Sequence, residues 1–163
     1  MKHLSRFENF GSGEYAAFDN DAGESFWGNQ GSGAILFSKS TKRFLVVYRS
    51  KYVNEPNCYG VVGGKIDDTE NPKDAVFREI SEEVGYDGNI NLIPLYIFKT
   101  KNFTYHNFLG VIDEEFTPHL DWESDGYKWV TFDELLKIEP KHFGLEKLLN
   151  DEESIDIIKK VLN

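Results

Sequence analysis

The stretch GGKIDDTENPKDAVFREISEEVGYDG, residues 63–88, carries the densest pattern in the chain and decides its reading. Asn71 is a favourable N-cap, Pro72 suits the first helical position and Asp74 the third, so a helix should open here. Gly85 suits the left-handed position just past a helix end, which places the last turn near Val84. At about 100° per residue, Val76, Phe77, Ile80 and Val84 share one arc, the expected core face. Glu79, Glu82 and Glu83 share a separate arc, because positions i, i+3 and i+4 stack on one side. Such carboxylates, with no lysine between them, repel each other by roughly a few tenths of a kcal/mol per pair. A solvated acidic face is the competing reading, but a helix needing only solubility would alternate its charges. Oxygen-only clusters of this kind suit Mg²⁺ or Mn²⁺ and leave positions for water and phosphate.

Outward from this helix the chain reads as alternating strands and helices. GAILF (33–37) and RFLVVY (43–48) are β-rich runs joined by the polar SKSTK, a hairpin pattern. YGVV (59–62) is strand-like and runs into Gly63-Gly64. INLIPLYIF (90–98) and FTYHNFLGVI (103–112) form a second pair around KTKN, and GYKWV (126–130) is a last strand. Thr131 and Glu134 make a capping box that opens a helix at FDELLK. Near the end, Ile155, Ile158 and Leu162 mark one face of a further helix. Residues 1–30 show no period and read as an irregular N-terminal segment. The expectation is one α/β domain over residues 1–163 with a mixed sheet.

The formal charge of −10 argues against proteins that track nucleic-acid backbones or anionic membranes. It would also repel a nucleotide, unless bound divalent cations reverse the local sign. No apolar run approaches the ~20 residues needed to cross a bilayer. The start, MKHLSRFENF, lacks an apolar signal-peptide core, and Cys58 is the single cysteine. A cytoplasmic protein is expected. Cys58 reads as packing, and His3, His106, His119 and His142 do not pair at zinc-ligand spacing.

The segment 64–86 resembles the Nudix box, G-x5-E-x7-R-E-U-x-E-E-x-G-U, with U a bulky apolar residue. Gly64, Glu70, Arg78, Glu79, Ile80, Glu82, Glu83 and Gly85 match in spacing, and Tyr86 stands at the last U, where an aliphatic residue is more usual. The resemblance implies a Nudix α/β/α sandwich and a hydrolase acting on phosphoanhydride bonds. It also implies that Glu79, Glu82 and Glu83 hold Mg²⁺, with Mn²⁺ as substitute, and that the Gly64 region brings a backbone carbonyl to the metal. Arg78 would pair with Glu70 and steer Glu79. The competing reading of Gly63 and Gly64 is as simple turn residues.

Family members often add a carboxylate from a downstream loop, as a metal ligand or a base. Glu123, on the loop entering GYKWV, is the first candidate, followed by Asp125 and then Glu114-Glu115. By the same resemblance, Glu79 or a loop glutamate such as Glu123 would be the base. Trp27, Tyr105, His106, Trp122 and Tyr127 are the aromatics on which a nucleotide base could stack, a contact worth ~1–3 kcal/mol per base. Tyr105, 19 residues past the box, resembles the downstream tyrosine of the diadenosine-polyphosphate subgroup. Lys101 stands where the ADP-ribose subgroup has proline, and the NADH subgroup's SQPWPFPxS is absent, so no subgroup is assigned.

The sequence therefore points to a metal-dependent enzyme that splits a nucleoside-diphosphate derivative and releases a nucleoside monophosphate. Its partner would be that small molecule, with no nucleic-acid polymer and no membrane; a homodimer is compatible with this reading. Two alternatives remain: a non-catalytic nucleotide sensor of the same fold, and an enzyme acting on a non-nucleotide diphosphate.

Overall fold

The computed structural model describes residues 30–163. The aromatic stretch before them, Trp27 included, lies outside the described residues. β1 (Gln30–Ser38) and β2 (Arg43–Arg49) form the antiparallel hairpin the sequence announces, with Leu36 opposite Leu45 and Phe37 opposite Phe44. The YGVV run is split. β3 (Tyr59–Gly60) pairs with β2, whereas β4 (Val62–Lys65) crosses to β1, setting Gly63 opposite Gly33 and Gly64 opposite Ser32. Gly63 and Gly64 are thus strand residues, not a turn.

β5 (Asn91–Lys99) and β6 (Thr104–Ile112) pair antiparallel, and β7 (Ser124–Val130) pairs with β2. β6 also runs parallel to β1 along the whole of it, from Gln30 opposite Thr104 to Ser38 opposite Ile112. That pairing makes the sheet mixed and places β1 at its centre, buried from Gly31 onward.

Because strand side chains alternate between faces, β1 and β2 feed two cores. Ala34, Leu36, Leu45 and Val47 pack with Val76, Ile80 and Val84 of α1 (Pro72–Val84) on one side. Ile35, Phe37, Phe44 and Val46 pack on the other with Leu135 of α2 (Phe132–Lys137), Leu145 and Leu148 of α3 (Phe143–Leu149), and Ile158 of α4 (Glu152–Leu162). The result is an α/β/α sandwich with an open mixed sheet. α3 was not visible as a pattern: it has seven residues and a histidine N-cap, whose Nδ1 accepts the Gly144 N–H.

α1 is capped as its sequence requires. Asn71 accepts the Asp74 N–H, and Gly85 adopts φ 69°, with its N–H donating to the Ser81 carbonyl. One expectation fails. Phe77 is 40% exposed, while Ala75, Glu79 and Glu83 are buried, so the helix is rolled toward its carboxylates and away from Phe77. Tyr86 fits its place in the box by stacking on Phe116, with ring centroids 4.5 Å apart.

Gly85→Ala should destabilise the fold by about 1–2 kcal/mol, since a left-handed backbone disfavours any Cβ. That Cβ would also stand 3.0 Å from the His119 Cβ. Urea unfolding of the two proteins measures the difference, and equal midpoints and slopes would refute the assignment of Gly85 as a required cap.

Candidate active site

The roll of α1 turns its acidic arc against the backbone of β4. Glu79 is 3% exposed and Glu83 is 4% exposed, which is costly for carboxylates unless each has a hydrogen-bond donor. The donors are specific. Glu83 Oε1 accepts the Gly63 N–H at 3.1 Å, and Glu79 Oε1 accepts from Arg78 Nη1 at 2.8 Å. Glu82, one helical turn from Arg78, stands 3.5 Å from the same nitrogen and is more open to solvent.

Arg78 is the hub of this face. Its Nε and Nη2 grip both oxygens of Glu70 at 2.8 and 2.9 Å, and Nη2 also donates to the Lys65 carbonyl at 2.9 Å. A planar fork is what lets one side chain serve two carboxylates and a carbonyl together. Glu70 in turn accepts the Asp67 N–H at 2.9 Å, closing the loop between β4 and α1. The bidentate bond to Arg78 holds the Glu70 carboxyl below its ordinary value, against the upward push of partial burial.

Glu123 reaches this face through the end of α1. The last carbonyls of a helix have no partner within it. Here Val84 O accepts the His119 N–H at 2.9 Å and Glu83 O accepts the Asp121 N–H at 3.3 Å, so the segment before β7 is docked on the helix terminus. Glu123 follows, 5% exposed, its N–H donating to Asp121 Oδ1 and its carbonyl accepting the Ser50 N–H. Of the other loop candidates, Asp125 is exposed. Glu115 is held by Arg43 at 2.6 and 2.7 Å beside Thr41, at the opposite end of β1 from the glycines, and Glu114 adjoins it there.

Arg49 was not singled out by the sequence. It is 7% exposed, its Nε donating to the Glu55 carbonyl at 3.0 Å and its Nη2 to the Asn54 carbonyl. Burial pulls its pKa down, while Cys58, Glu55, Glu83 and Glu123 oppose that shift. A buried cation therefore lies within electrostatic reach of both Glu83 and Glu123. Glu55 extends the network, its Oε2 standing 3.0 Å from His142 Nε2. Cys58 is buried with its thiol against the Glu55 carbonyl, and burial pushes its pKa up to about 11, which suits packing rather than nucleophilic chemistry.

The aromatic candidates separate. Tyr105 is 4% exposed and packed in the core, so it cannot stack on a base. His106 lies against Gln30 at 3.2 Å. Trp122, next to Glu123, is 43% exposed, and Tyr52, two residues past Ser50, is 66% exposed. Tyr127 lines an open groove of about 700 Å³ with Arg43, Lys128 and Lys137, whose lining includes none of the box glutamates.

As the side chains stand, no three His, Cys, Asp or Glu groups among the described residues are gathered closely enough to hold an ion. The donor chemistry nonetheless fits a hard divalent cation: Glu79, Glu82 and Glu83 on one helix face offer oxygen donors, and Glu123, like Glu83, acts electrostatically on Arg49.

An acidic helix docked on a mixed sheet, with Arg78 bridging the glutamates of helix and loop, defines a Nudix hydrolase, a family of pyrophosphohydrolases. The NUDIX domain profile matches residues 29–151, and the chain belongs to this family. It is 30% identical over 96 residues to a CMP-5'-(N-acetyl-N-hydroxy-3-aminopropyl)phosphonate hydrolase of Streptomyces rubellomurinus, covering 59% of this chain but 41% of that protein's length. It is 29% identical over 121 residues to the dihydroneopterin triphosphate diphosphatase of Haemophilus influenzae, covering 63% of this chain and 74% of that protein. Among solved structures, the Nudix hydrolase RenU of M. smegmatis is similar in fold at 19% identity, with a TM-score of 0.66 over 83% of this chain and 87% of its own.

Acid should expose the Glu70–Arg78 bond. Because the folded carboxyl titrates below the ordinary value of 4.5, its stabilisation is complete above that pH and disappears as pH falls through the lowered folded value. Glu70→Gln should therefore lower Tm at pH 7, with the gap to the unaltered protein closing below pH 4.5. A gap that stays constant with pH would show that Glu70 contributes shape and not charge.

Proposed function

We propose that this chain, as a single catalytic domain, is a metal-dependent hydrolase that cleaves the diphosphate linkage of a nucleoside-diphosphate derivative, releasing a nucleoside monophosphate. The observation that carries this reading is the pair of buried carboxylates, Glu79 held by Arg78 and Glu83 by the Gly63 N–H, instead of both facing solvent. A helix face serving only solubility would have no reason to bear the cost of that burial. One relative is named as a hydrolase of a CMP conjugate, in keeping with a nucleotide substrate, and another as a diphosphatase of a pterin triphosphate, which carries no nucleoside.

In this reading Glu79, Glu82 and Glu83 hold Mg²⁺ or Mn²⁺, with Glu123 and the Gly64 carbonyl completing the set. Bound cation supplies charge neutralisation on the diphosphate and a water of lowered pKa. The chain's own residues do the rest. Arg78 fixes the rotamer of Glu79 while Glu70 fixes Arg78. Glu79, or Glu123 if it is not itself a ligand, would take the proton of the attacking water. Trp122 and Tyr52, exposed on the two loops joined by the Ser50–Glu123 bond, offer stacking faces for a nucleoside. The intact set of box glutamates favours an enzyme over a sensor. Cytoplasmic location belongs to the same proposal; no described helix is long and apolar enough to cross a membrane.

With a panel of nucleoside-diphosphate derivatives, EDTA should abolish hydrolysis and Mg²⁺ or Mn²⁺ should restore it. Full turnover in chelator would refute the metal mechanism, and binding without turnover across the panel would favour the sensor. Glu82→Gln and Glu83→Gln should each cut kcat severely.

Arg78→Lys keeps the charge and loses the fork, so kcat should fall ~10–100-fold with KM little changed. Combined with Glu70→Gln, the loss should be much less than additive in log kcat, because both changes break one coupling. A large rise in KM would instead put Arg78 on the phosphates.

A further inference from the structure

Three glycines on two strands share one neighbour. A Cβ at Gly31 would lie 2.8 Å from the Tyr105 ring, one at Gly33 would lie 2.2 Å from the Tyr105 hydroxyl, and one at Gly63 would lie 2.4 Å from that same oxygen. None of the three has a left-handed backbone, so turn geometry does not demand glycine there. What demands it is space. Tyr105, directly across the parallel ladder from Gly31, lays its ring along β1 and drives its hydroxyl between β1 and β4.

The position of that hydroxyl bears on the acidic site. Tyr105 belongs to the core on the side of α2, α3 and α4, whereas α1 packs on the other side of the sheet. Where Gly33 faces Gly63 the sheet carries no side chains, and the phenol and the helix carboxylates are separated by backbone alone. The Gly63 N–H points to Glu83 Oε1, so the tyrosine braces from below the same residue that holds the glutamate from above.

We propose that Tyr105 is a positioning residue of the acidic site: seated in the Gly31–Gly33–Gly63 slot, it fixes the β4 backbone whose N–H orients Glu83 for the divalent cation. This rests on the reading of Glu83 as a metal ligand. It assigns to Tyr105 a role unlike base stacking, and gives the first glycine of the Gly63-Gly64 pair a reason distinct from close approach to metal.

The test is Mn²⁺ binding without substrate, read from the free-ion signal in electron paramagnetic resonance. Tyr105→Phe keeps the ring and removes the hydroxyl. Its Kd for Mn²⁺ should rise about tenfold, the low end for residues that orient metal ligands. The Mg²⁺ concentration giving half-maximal hydrolysis should rise by the same factor, while KM for substrate at saturating Mg²⁺ stays unchanged. A purely packing role would lower Tm and leave both metal readouts where they were; that result overturns the inference and leaves the hydrolase reading intact. If Tyr105→Phe does not fold, Gly31→Ala presses the ring edge while keeping the hydroxyl. The same weakening is expected, and unaltered Mn²⁺ affinity there would overturn the proposal. Should the unaltered protein and Glu83→Gln bind Mn²⁺ equally, the assignment of Glu83 fails, and the role of Tyr105 fails with it.

Discussion

Burial of Glu79 and Glu83 between helix and sheet is the constraint to which the rest of the molecule answers. A carboxylate taken out of water must be repaid in hydrogen bonds and opposite charge, and both must come from groups fixed in place. Arg78 brings Glu79 both an opposite charge and a hydrogen bond, and the Gly63 N–H brings Glu83 a hydrogen bond. Each solution creates a further requirement. The guanidinium has donors left over, and these fold the 66–70 loop by gripping Glu70 and the Lys65 carbonyl. The Gly63 N–H is available only because β4 leaves β2 and β3 to pair with β1. The fork in the sheet and the ion-pair network are two parts of one arrangement.

The far end of α1 recruits the remaining pieces by ordinary helix chemistry. Its unsatisfied carbonyls at Glu83 and Val84 are met by backbone N–H groups of Asp121 and His119, fixing a loop that would otherwise swing freely. Glu123 is carried in with it. On the opposite flank, Arg49 ties the segment after β2 by two carbonyls while lying within the field of Glu83 and Glu123. The candidate site is therefore assembled from one helix, one strand and two loops, each held by bonds that also belong to the fold.

Legibility in the sequence followed locality. Asn71, Pro72, Gly85, Thr131 and Glu134 act within one or two turns, and their meaning could be read directly. The hairpins were legible for the same reason. The parallel pairing of β1 with β6 joins residues some seventy positions apart and leaves no local trace. Helical periodicity located α1 but not its roll. An arc of apolar residues names the face that prefers to be buried, and here Phe77 yielded its place to Glu79 and Glu83, whose partners are distant in sequence. Tyr105, which could be read as core or as a stacking face, could not be assigned from sequence for a related reason. A tyrosine's offset from a motif says nothing of whether its ring faces solvent, and the glycines that receive it lie on other strands. The pairing of Glu55 with His142 left no pattern in the sequence; only the fold brings them within 3.0 Å.

The charge balance follows from the same geometry. Four glutamates, at 79, 82, 83 and 123, face two arginines, and neither arginine has been left for substrate. Arg78 is committed to Glu70, Glu79 and Lys65, and Arg49 to the carbonyls of Asn54 and Glu55. A diphosphate arriving at such a surface would meet net negative charge on a protein already at −10. On the proposed reading, attraction must then come from the cations held by the glutamates, so metal affinity and substrate affinity are linked and each strengthens the other. The linkage gives the arginines their logic. A guanidinium reaching directly for phosphate would draw the polyanion without metal, into a site that has no activated water; one that spends its donors on ligand geometry makes entry depend on the same ions that the chemistry needs.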